Sequence, residues 1–366
     1  MLSQSLLQLV NALNAKSDLS KVNGLIYRVS GKVIMNPACA FIEDLDALPF
    51  PARNKLNPDK YKFEVPGKGF VSVASTALTR GCPFQCVFCS EPLNAGRKLR
   101  CRSAANVVSE MRWIKDNLGI KHIYMLDSTL TVNRALVMEF CRQLIDCKLA
   151  ITFEGQTRAN LVDQPLLELM KQAGLVRLSF GLESVDKEVL RLMRKDIDPE
   201  DLRRALHLCR GLNITTLCGA MMGNPGDTRQ TILKTARFVR STDEIVYAPL
   251  AIAIPYPGTE LFKMASLGMH GLRLIETDYR KYARYAGGVM EIDGMAPAEI
   301  VKLQRRALII MHSSWKKVIG VIKHFGFINL LRIAVKIIWQ GIVAKITGTE
   351  PVIRDIECQI AVDLQD

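Results

Sequence analysis

Three cysteines stand close together in one short stretch of the chain. Cys82, Cys86 and Cys89 are separated by three and by two residues, and thiolates at this spacing can each ligate a different iron of a cubane cluster. Clusters of four irons usually take four thiolates, so three thiolates leave one iron open to a ligand that is not protein. The sequence therefore predicts a [4Fe–4S] cluster on these three cysteines.

Other interpretations of the cysteines compete with this one. A structural zinc would need a fourth ligand, for which Cys101 is available in sequence. A disulfide would need an oxidising compartment, but residues 1–13 carry a helical stripe of leucines rather than a secretory signal. We therefore expect a cytoplasmic protein with reduced thiols. The other cysteines are expected to be buried spectators: Cys39, Cys141, Cys147, Cys209, Cys218 and Cys358.

The elements that must position the cysteines alternate between short apolar runs and amphipathic helices. The predicted strands are residues 71–78, 122–126, 151–154, 176–180, 214–222 and 245–254. The predicted helices between them are residues 104–117, 134–147, 165–173, 186–194, 199–211 and 228–241. This alternation indicates a parallel α/β sheet, open or closed. Polar residues follow each strand, at the end where barrel enzymes build their sites.

The organisation outside this core is less regular. A proline-punctuated connector occupies residues 47–67, because proline removes a backbone donor and interrupts packed elements. We expect three parts: residues 1–65 as a connector, residues 66–265 as the barrel and residues 266–366 as a mainly helical region.

Several motifs together resemble the radical S-adenosylmethionine (radical SAM) superfamily, over about residues 70–264. Residues 79–90 read TRGCPFQCVFCS, and further matching stretches lie at residues 126–133, 154–160, 178–184 and 255–260. These stretches are similar to the branch whose members carry an N-terminal cobalamin-binding domain. The resemblance implies an α/β fold, a partial (β/α)6 TIM-like radical SAM barrel with an N-terminal remnant and a C-terminal helical region. It also implies a [4Fe–4S] cluster and SAM as cofactors, with reductive cleavage of SAM to a 5′-deoxyadenosyl radical.

The resemblance also assigns residues to SAM, and no residue to the catalytic step on the substrate. Phe88 would lie against the adenine, Asp127 near the amino group, and Arg158 and Glu183 near the ribose or carboxylate. Lys195 would lie near the same pocket. An acid beside an ammonium and a base beside a carboxylate suit an amino-acid-like ligand. Two structural alternatives stay open: an ion pair between Arg158 and Glu183, and a solvated Lys195.

The chain departs from the branch in two places. Residues 127–130 read Asp-Ser-Thr-Leu where the branch usually has Asp-Asp-x-Phe. No D-x-H-x-x-G motif occurs, and the chain opens at what resembles the last helix of the cobalamin domain. We expect either a truncated or split protein with a cobalamin-domain partner, or a protein that has lost cobalamin.

The net charge of the chain is +13, and its basic residues are least balanced by acids in one segment near the C-terminus. Nine basic residues and no acid lie between Lys302 and Gly348, in a segment rich in aliphatic residues and tryptophan. Lys323, Arg332 and Lys336 leave no uninterrupted apolar run of ~20 residues there, which argues against a membrane-spanning helix. The segment supports two interpretations equally well: peripheral contact with an anionic membrane, and a helical cap over the substrate. We expect no binding to nucleic acid.

The leading hypothesis is therefore an iron–sulfur enzyme that uses SAM for methyl transfer, cyclisation or another functionalisation of a small or lipid-like substrate. It would need an electron donor such as flavodoxin or ferredoxin. The alternatives are a truncated or inactive binding protein and, more remotely, a metal-binding nucleic-acid module.

Overall fold

The computed structural model describes residues 2–245, 247–282, 288–317 and 319. The chain divides into two compact units, Met1–Pro49 and Phe50–Asp366. The division falls before the predicted boundary near residue 65, and a β-hairpin of the second unit extends across that boundary. The three-part domain assignment stays a prediction.

The first unit consists of helix α1 (Leu2–Asn14) and a hairpin of strands β1 (Ile26–Val29) and β2 (Lys32–Met35). Ser30 and Gly31 connect the strands with φ angles of 48° and 81°. Two positive φ angles in a two-residue loop match the right-handed twist of the flanking strands.

The second unit is built on a six-stranded parallel sheet with helical connections. Its strands, with the short pairs that flank them, are β3 (Lys62–Val65), β4 (Gly69–Ser72), β5 (Ala74–Thr76), β6 (Thr79–Arg80), β7 (Arg100–Cys101), β8 (His122–Met125), β9 (Thr152–Thr157), β10 (Leu175–Glu183), β11 (Thr215–Met222), β12 (Leu250–Ile252), β13 (Leu272–Leu274) and β14 (Met290–Ile292). Its helices are α2 (Glu91–Ala95), α3 (Ala104–Leu118), α4 (Arg134–Asp146), α5 (Gln164–Gln172), α6 (Lys187–Leu192), α7 (Pro199–Gly211), α8 (Arg229–Ser241), α9 (Glu260–Ser266) and α10 (Pro297–His312).

The spatial order of the sheet is β12-β11-β10-β9-β8-β5, and every neighbouring pair is parallel. Sequential strands lie side by side, as expected when each connection contains a helix that returns the chain to the end of the sheet where the strands begin. The predicted α/β class and the partial TIM-like barrel are confirmed. The first and last strands are shorter than predicted, because residues 71–72 pair in the β3–β4 hairpin and residues 247–249 are irregular.

The two faces of the sheet differ in burial. Along β11, Thr216, Cys218 and the following alternate residues are buried, whereas Leu217 and Gly219 are partly exposed. The buried face packs on the helices, as the edge-on contact of Phe153 in β9 with a phenylalanine of α4 illustrates, with ring centroids 5.7 Å apart. The opposite face, which we call the open face, is free to line a ligand site.

An ionic cluster closes the amino-terminal end of the sheet. Arg177 of β10 donates to Glu154 of β9 and to Glu64 of the β3–β4 hairpin, with a 3.0 Å bond to the latter. His122 of β8 lies with Nε2 3.5 Å from Glu154. Since buried charges are tolerated when paired and hydrogen-bonded, this cluster fixes the hairpin against the ends of β8–β10.

Two long side chains contact the outer edges of the open sheet. Arg53 donates Nη2 to the carbonyl of Ser75 in edge strand β5. Gln304 of α10 donates Nε2 to the carbonyl of Leu250 in edge strand β12, at 2.7 Å. Each edge strand thereby satisfies a backbone acceptor that no neighbouring strand of the sheet can reach.

The start of the predicted basic C-terminal region packs on the barrel. Lys316 pairs with Asp243, and the buried Lys317 donates to the carbonyls of Thr242 and Ile245 after α8. Cations suit the carbonyls that a helix leaves unpaired at its C-terminus. The rest of that region, residues 320–366, lies outside the described residues. Within the described part, no helix is long and apolar enough to cross a membrane.

Glu110 of α3 joins three elements of the second unit. Its carboxylate is 1% exposed and accepts from Arg53 at 2.7 Å, from Arg102 at 2.5 Å and from Thr76 at 2.5 Å. Burial disfavours the ionised carboxyl, but these donors outweigh burial and hold the pKa of Glu110 below its ordinary value of 4.5. The cluster therefore stabilises the fold through an ionised group.

We expect Glu110→Gln to lower the free energy of unfolding by about 3 kcal/mol at neutral pH, because it leaves two guanidinium groups without their carboxylate. A carboxyl with a lowered pKa stabilises the fold above its ordinary pKa and ceases to do so as the pH falls through the lowered value. The difference between variant and wild type should therefore shrink below about pH 4.5.

Denaturant unfolding from pH 3 to 8 measures this difference. Glu188→Gln is the matched control, because Glu188 forms an exposed ion pair with Arg191 one turn along α6, and water screens such pairs so that they contribute little to stability. Equal losses in the two variants would contradict the assigned role of Glu110.

Candidate functional site

The three predicted cluster ligands lie on one loop at the carboxyl end of the sheet. Cys82, Cys86 and Cys89 follow β5 and β6, and all three are unpaired thiols of intermediate exposure. This end of a parallel sheet is where connecting loops from several strands meet. The structure thus brings the three thiols together at the end of the sheet that the strand pattern predicts.

The start of the loop lies directly against the segment before β7. The amide of Cys82 donates to the carbonyl of Gly96 at 3.1 Å. Gly81 has a φ of +95°, and a Cβ placed there would lie 2.3 Å from the carbonyl oxygen of Lys98. Only glycine combines this backbone conformation with so close an approach.

The middle of the loop is tied at one residue, Val87. Its amide donates to the carbonyl of Met193 at 3.1 Å, and its carbonyl accepts from the amide of Leu261 in α9 at 2.9 Å. Val87 itself is 2% exposed. The residue between two cluster cysteines is therefore anchored to the ends of two different connections.

The donor set and its surroundings fit a cluster bound through three thiolates. Burial raises the pKa of Cys86, while Lys195 and Arg158 act against that rise. Burial likewise raises the pKa of Cys89, whose sulfur accepts a hydrogen bond from the backbone amide of Glu91 at 3.4 Å. Half-buried thiols facing cations and an N–H donor are suited to carry the negative charge of metal-bound thiolates.

Among the described residues, no three His, Cys, Asp or Glu side chains converge on one point. Cys101, the fourth ligand of the zinc interpretation, instead lies 3.7 Å from the amide nitrogen of Asn133. Thiolates that ligate different irons of a cubane need not converge on one point, so this geometry is compatible with the predicted cluster.

Asp127 lies at the end of β8 and is fully buried. One carboxylate oxygen accepts from the amide and hydroxyl of Thr79 at 2.7 and 2.6 Å, and the other accepts from the amide of Leu78 at 3.1 Å. Burial raises the pKa of Asp127 despite these bonds. The carboxylate positions the chain just before the cysteine loop, and its predicted contact with SAM stays a prediction.

Arg158 follows β9 and faces the cysteine loop. Its Nη1 lies 3.7 Å from the sulfur of Cys86, and its Nη2 donates to the carbonyl of Asp196 at 3.0 Å. The guanidinium also lies over the ring of Phe84, 4.0 Å from its centroid. Sequence reasoning missed Phe84, although an aromatic residue beside a predicted cluster ligand is a natural partner for a buried cation.

Glu183 and Lys195 form the ion pair of the site, at 3.0 Å. Within the described part of the chain, Glu183 forms no ion pair with Arg158, so that structural alternative is wrong. Lys195 is 7% exposed, so its interpretation as a solvated helix charge is also wrong. Its ammonium lies 6.0 Å from the ring centroid of Phe88. The structure thus gathers Glu183, Lys195 and Phe88 beside the loop.

The backbone around Glu183 is unusual. The register of β10 against β11 shifts between Gly181 and Glu183, and Glu183 has a φ of +56°. Bulges re-aim side chains at strand ends, and a non-glycine residue in this region is under backbone strain. A Cβ at Gly181 would lie 2.5 Å from the Glu183 carboxylate and 2.6 Å from the Lys195 ammonium. Sequence reasoning did not single out Gly181.

Other polar residues after strands serve their own turns. Asp227 accepts from the amide of Asn224 at 2.9 Å and from the hydroxyl of Thr231 at 2.8 Å. Burial raises the pKa of Asp227 to about 6. The Asn-Pro-Gly-Asp stretch of residues 224–227 therefore forms a hydrogen-bonded turn.

We expect Asp127→Ala to lower the free energy of unfolding by about 3 kcal/mol, because it leaves the donors of residues 78 and 79 buried without an acceptor. Thr79→Val removes one of those donors together with one bond and should cost about 1 kcal/mol. Denaturant unfolding of the metal-free protein measures both losses. An Asp127→Ala variant as stable as Thr79→Val would contradict the positioning role of the carboxylate.

Comparison with known proteins agrees with this geometry. Residues 76–239 match the sequence model of the radical SAM superfamily. The chain is 32% identical over 322 residues to an uncharacterized methyltransferase of Pyrococcus horikoshii, covering 88% of this chain and 68% of that protein. It is 30% identical over 304 residues to the anaerobic magnesium-protoporphyrin IX monomethyl ester cyclase of Rubrivivax gelatinosus, covering 81% of this chain and 53% of that protein.

A solved structure shares the fold. The radical SAM methyltransferase TsrM from Kitasatospora setae, with cobalamin and a [4Fe–4S] cluster bound, superposes with a TM-score of 0.60 at 18% identity. The superposition covers 84% of this chain and 58% of that one. The chain thus spans between about half and two thirds of the length of these proteins. It belongs to the radical SAM superfamily, which implies a [4Fe–4S] cluster and SAM as its cofactors.

Proposed function

We propose that this chain is the SAM-cleaving part of an iron–sulfur enzyme that functionalises an organic substrate. The observation that carries the proposal is the loop of three unpaired thiols, anchored at the carboxyl end of a parallel sheet with two buried cations beside Cys86. The cluster and SAM would together supply a 5′-deoxyadenosyl radical. The chain's own residues bind, orient and shield these groups.

Cys82, Cys86 and Cys89 would hold three irons and leave the fourth to SAM. Glu183 and Lys195 offer a carboxylate for the amino group of SAM and an ammonium for its carboxylate, already 3.0 Å apart. Opposite charges held in this way recognise an amino-acid moiety by charge-assisted bonds. Phe88, beside the ammonium, would contact the adenine.

The open face of the sheet supports an apolar organic substrate. Alternate residues of β11 and β12 that face it include Leu217, Met221 and Ala251, all partly exposed. Leu126, directly after β8, is 58% exposed, and Gln156 of β9 is an exposed polar residue on the same sheet. A mostly apolar surface with few polar groups is typical of small-molecule sites.

Two reactions on the substrate are candidates: methyl transfer and ring closure. Relatives named as methyltransferases favour methyl transfer, and the relative named as a cyclase favours ring closure. Methyl transfer through cobalamin would in addition require a cobalamin-binding domain, either in the same protein or in a partner. Either outcome requires a one-electron donor such as flavodoxin or ferredoxin.

We expect Cys86→Ala, reconstituted with iron and sulfide under anaerobic conditions, to lose the visible absorbance of the cluster and the formation of 5′-deoxyadenosine. Cys101→Ala is the matched control, because Cys101 is also partly exposed but lies in β7 rather than on the loop. It should retain both signals.

Each opposite result has a distinct meaning. A Cys86→Ala variant that keeps both signals would contradict the proposed cluster ligand. Wild-type protein that binds iron and sulfide yet forms no 5′-deoxyadenosine would favour an inactive binding protein. Zinc in place of iron, with salt-sensitive RNA binding, would favour a nucleic-acid module.

We expect Glu183→Gln to weaken SAM binding about tenfold, since it converts a charge-assisted contact into a neutral one. Gly181→Ala should also weaken SAM binding, because the added methyl group would displace the carboxylate and the ammonium. Equilibrium dialysis of SAM against the reconstituted variants measures both effects. Glu188→Gln, on the exposed surface of α6, is the control. Unchanged affinity in Glu183→Gln, with full cluster content, would contradict the assignment.

A further inference from the structure

We propose that Arg158 sets the reduction potential of the cluster by donating an N–H bond to the sulfur of Cys86. The inference rests on the proposed function, because the sulfur must be a cluster ligand. It gives Arg158 a positioning and electrostatic role toward the cluster in place of the contact with SAM that the sequence resemblance implies.

Two contacts hold the guanidinium in place. Nη2 is fixed by the carbonyl of Asp196 at 3.0 Å, and the plane lies over the ring of Phe84 at 4.0 Å. Nη1 is thereby directed at the sulfur of Cys86, 3.7 Å away, a normal distance for an N–H bond to sulfur. Because arginine presents its donors in a rigid fork, fixing one nitrogen also fixes the other.

The charge balance around Arg158 points to the same partner. The side chain is 5% exposed, and its Nε has no hydrogen-bond partner among the described residues. No carboxylate in the described part of the chain forms an ion pair with it. A buried, unpaired guanidinium is costly, whereas a buried cation beside a thiolate is compensated. The sulfur of Cys86 is the anion that this geometry provides.

A fixed cation beside a ligand sulfur has a defined effect on redox chemistry. Reduction adds one negative charge to the cluster, so a nearby cation and an N–H bond stabilise the reduced state more than the oxidised state. Hydrogen bonds to the sulfurs are an established determinant of cluster potentials. Arg158 should therefore raise the potential and make the cluster easier to reduce.

The test is an EPR-monitored redox titration of the reconstituted protein in the absence of SAM. A hydrogen bond to a charged group that favours the reduced over the oxidised cluster changes the redox equilibrium constant by about a factor of ten. For a one-electron couple this corresponds to about 59 mV. We expect Arg158→Gln to shift the potential by about this amount to more negative values. Arg158→Lys keeps the charge but not the fork, and should shift it less.

Arg194→Gln is the matched control for loss of a positive charge near the loop. Arg194 follows Met193, whose carbonyl contacts the loop, but its side chain is 50% exposed and lies 4.0 Å from Glu260. Water screens such a charge, so the potential should not change. Iron and sulfide content and circular dichroism establish that each variant is folded and loaded.

The outcomes separate this inference from the proposed function. A folded, loaded Arg158→Gln variant with the wild-type potential and weakened SAM binding would overturn the inference and restore the SAM-contact role. If Arg158→Gln does not assemble a cluster, Arg158→Lys is measured instead. A wild-type potential with weakened SAM binding in that variant would likewise overturn the inference. Failure of the wild-type protein to assemble any cluster would instead contradict the proposed function.

Discussion

The anchored backbone of the cysteine loop is the constraint on which the rest of the site depends. Gly81 packs against the carbonyl of Lys98, and Val87 is bonded to Met193 and Leu261. These contacts anchor the loop that carries the three half-buried thiols. Because the loop is anchored, the distances between its sulfur atoms and the facing cations are fixed. A flexible loop would leave these distances variable.

A second constraint is the charge balance beside the loop. Lys195 is neutralised by Glu183, whereas the described partners of Arg158 are an uncharged carbonyl, an aromatic ring and a thiol. The two cations therefore differ in what they can do. Lys195 and Glu183 form a neutral pair that a zwitterionic ligand can replace bond for bond, while Arg158 requires an anion that stays in place.

Much of the fold and the loop could be predicted from the sequence, because these features depend on local patterns. Six apolar runs separated by amphipathic helices specify the parallel sheet, and the spacing of three cysteines specifies their common loop. The partners of the polar residues could not be predicted in this way. Whether Glu183 meets Lys195 or Arg158 depends on the bulge after Gly181, a backbone detail that residue spacing does not encode.

The side chains on the two sheet edges bear on how the protein behaves at high concentration. An open sheet offers two rows of unpaired backbone groups, and another chain can add a strand to either row. Arg53 occupies the acceptor of Ser75 on one edge, and Gln304 occupies that of Leu250 on the other. An incomplete barrel can thus keep an accessible interior surface while one acceptor on each of its two edges is blocked against strand addition.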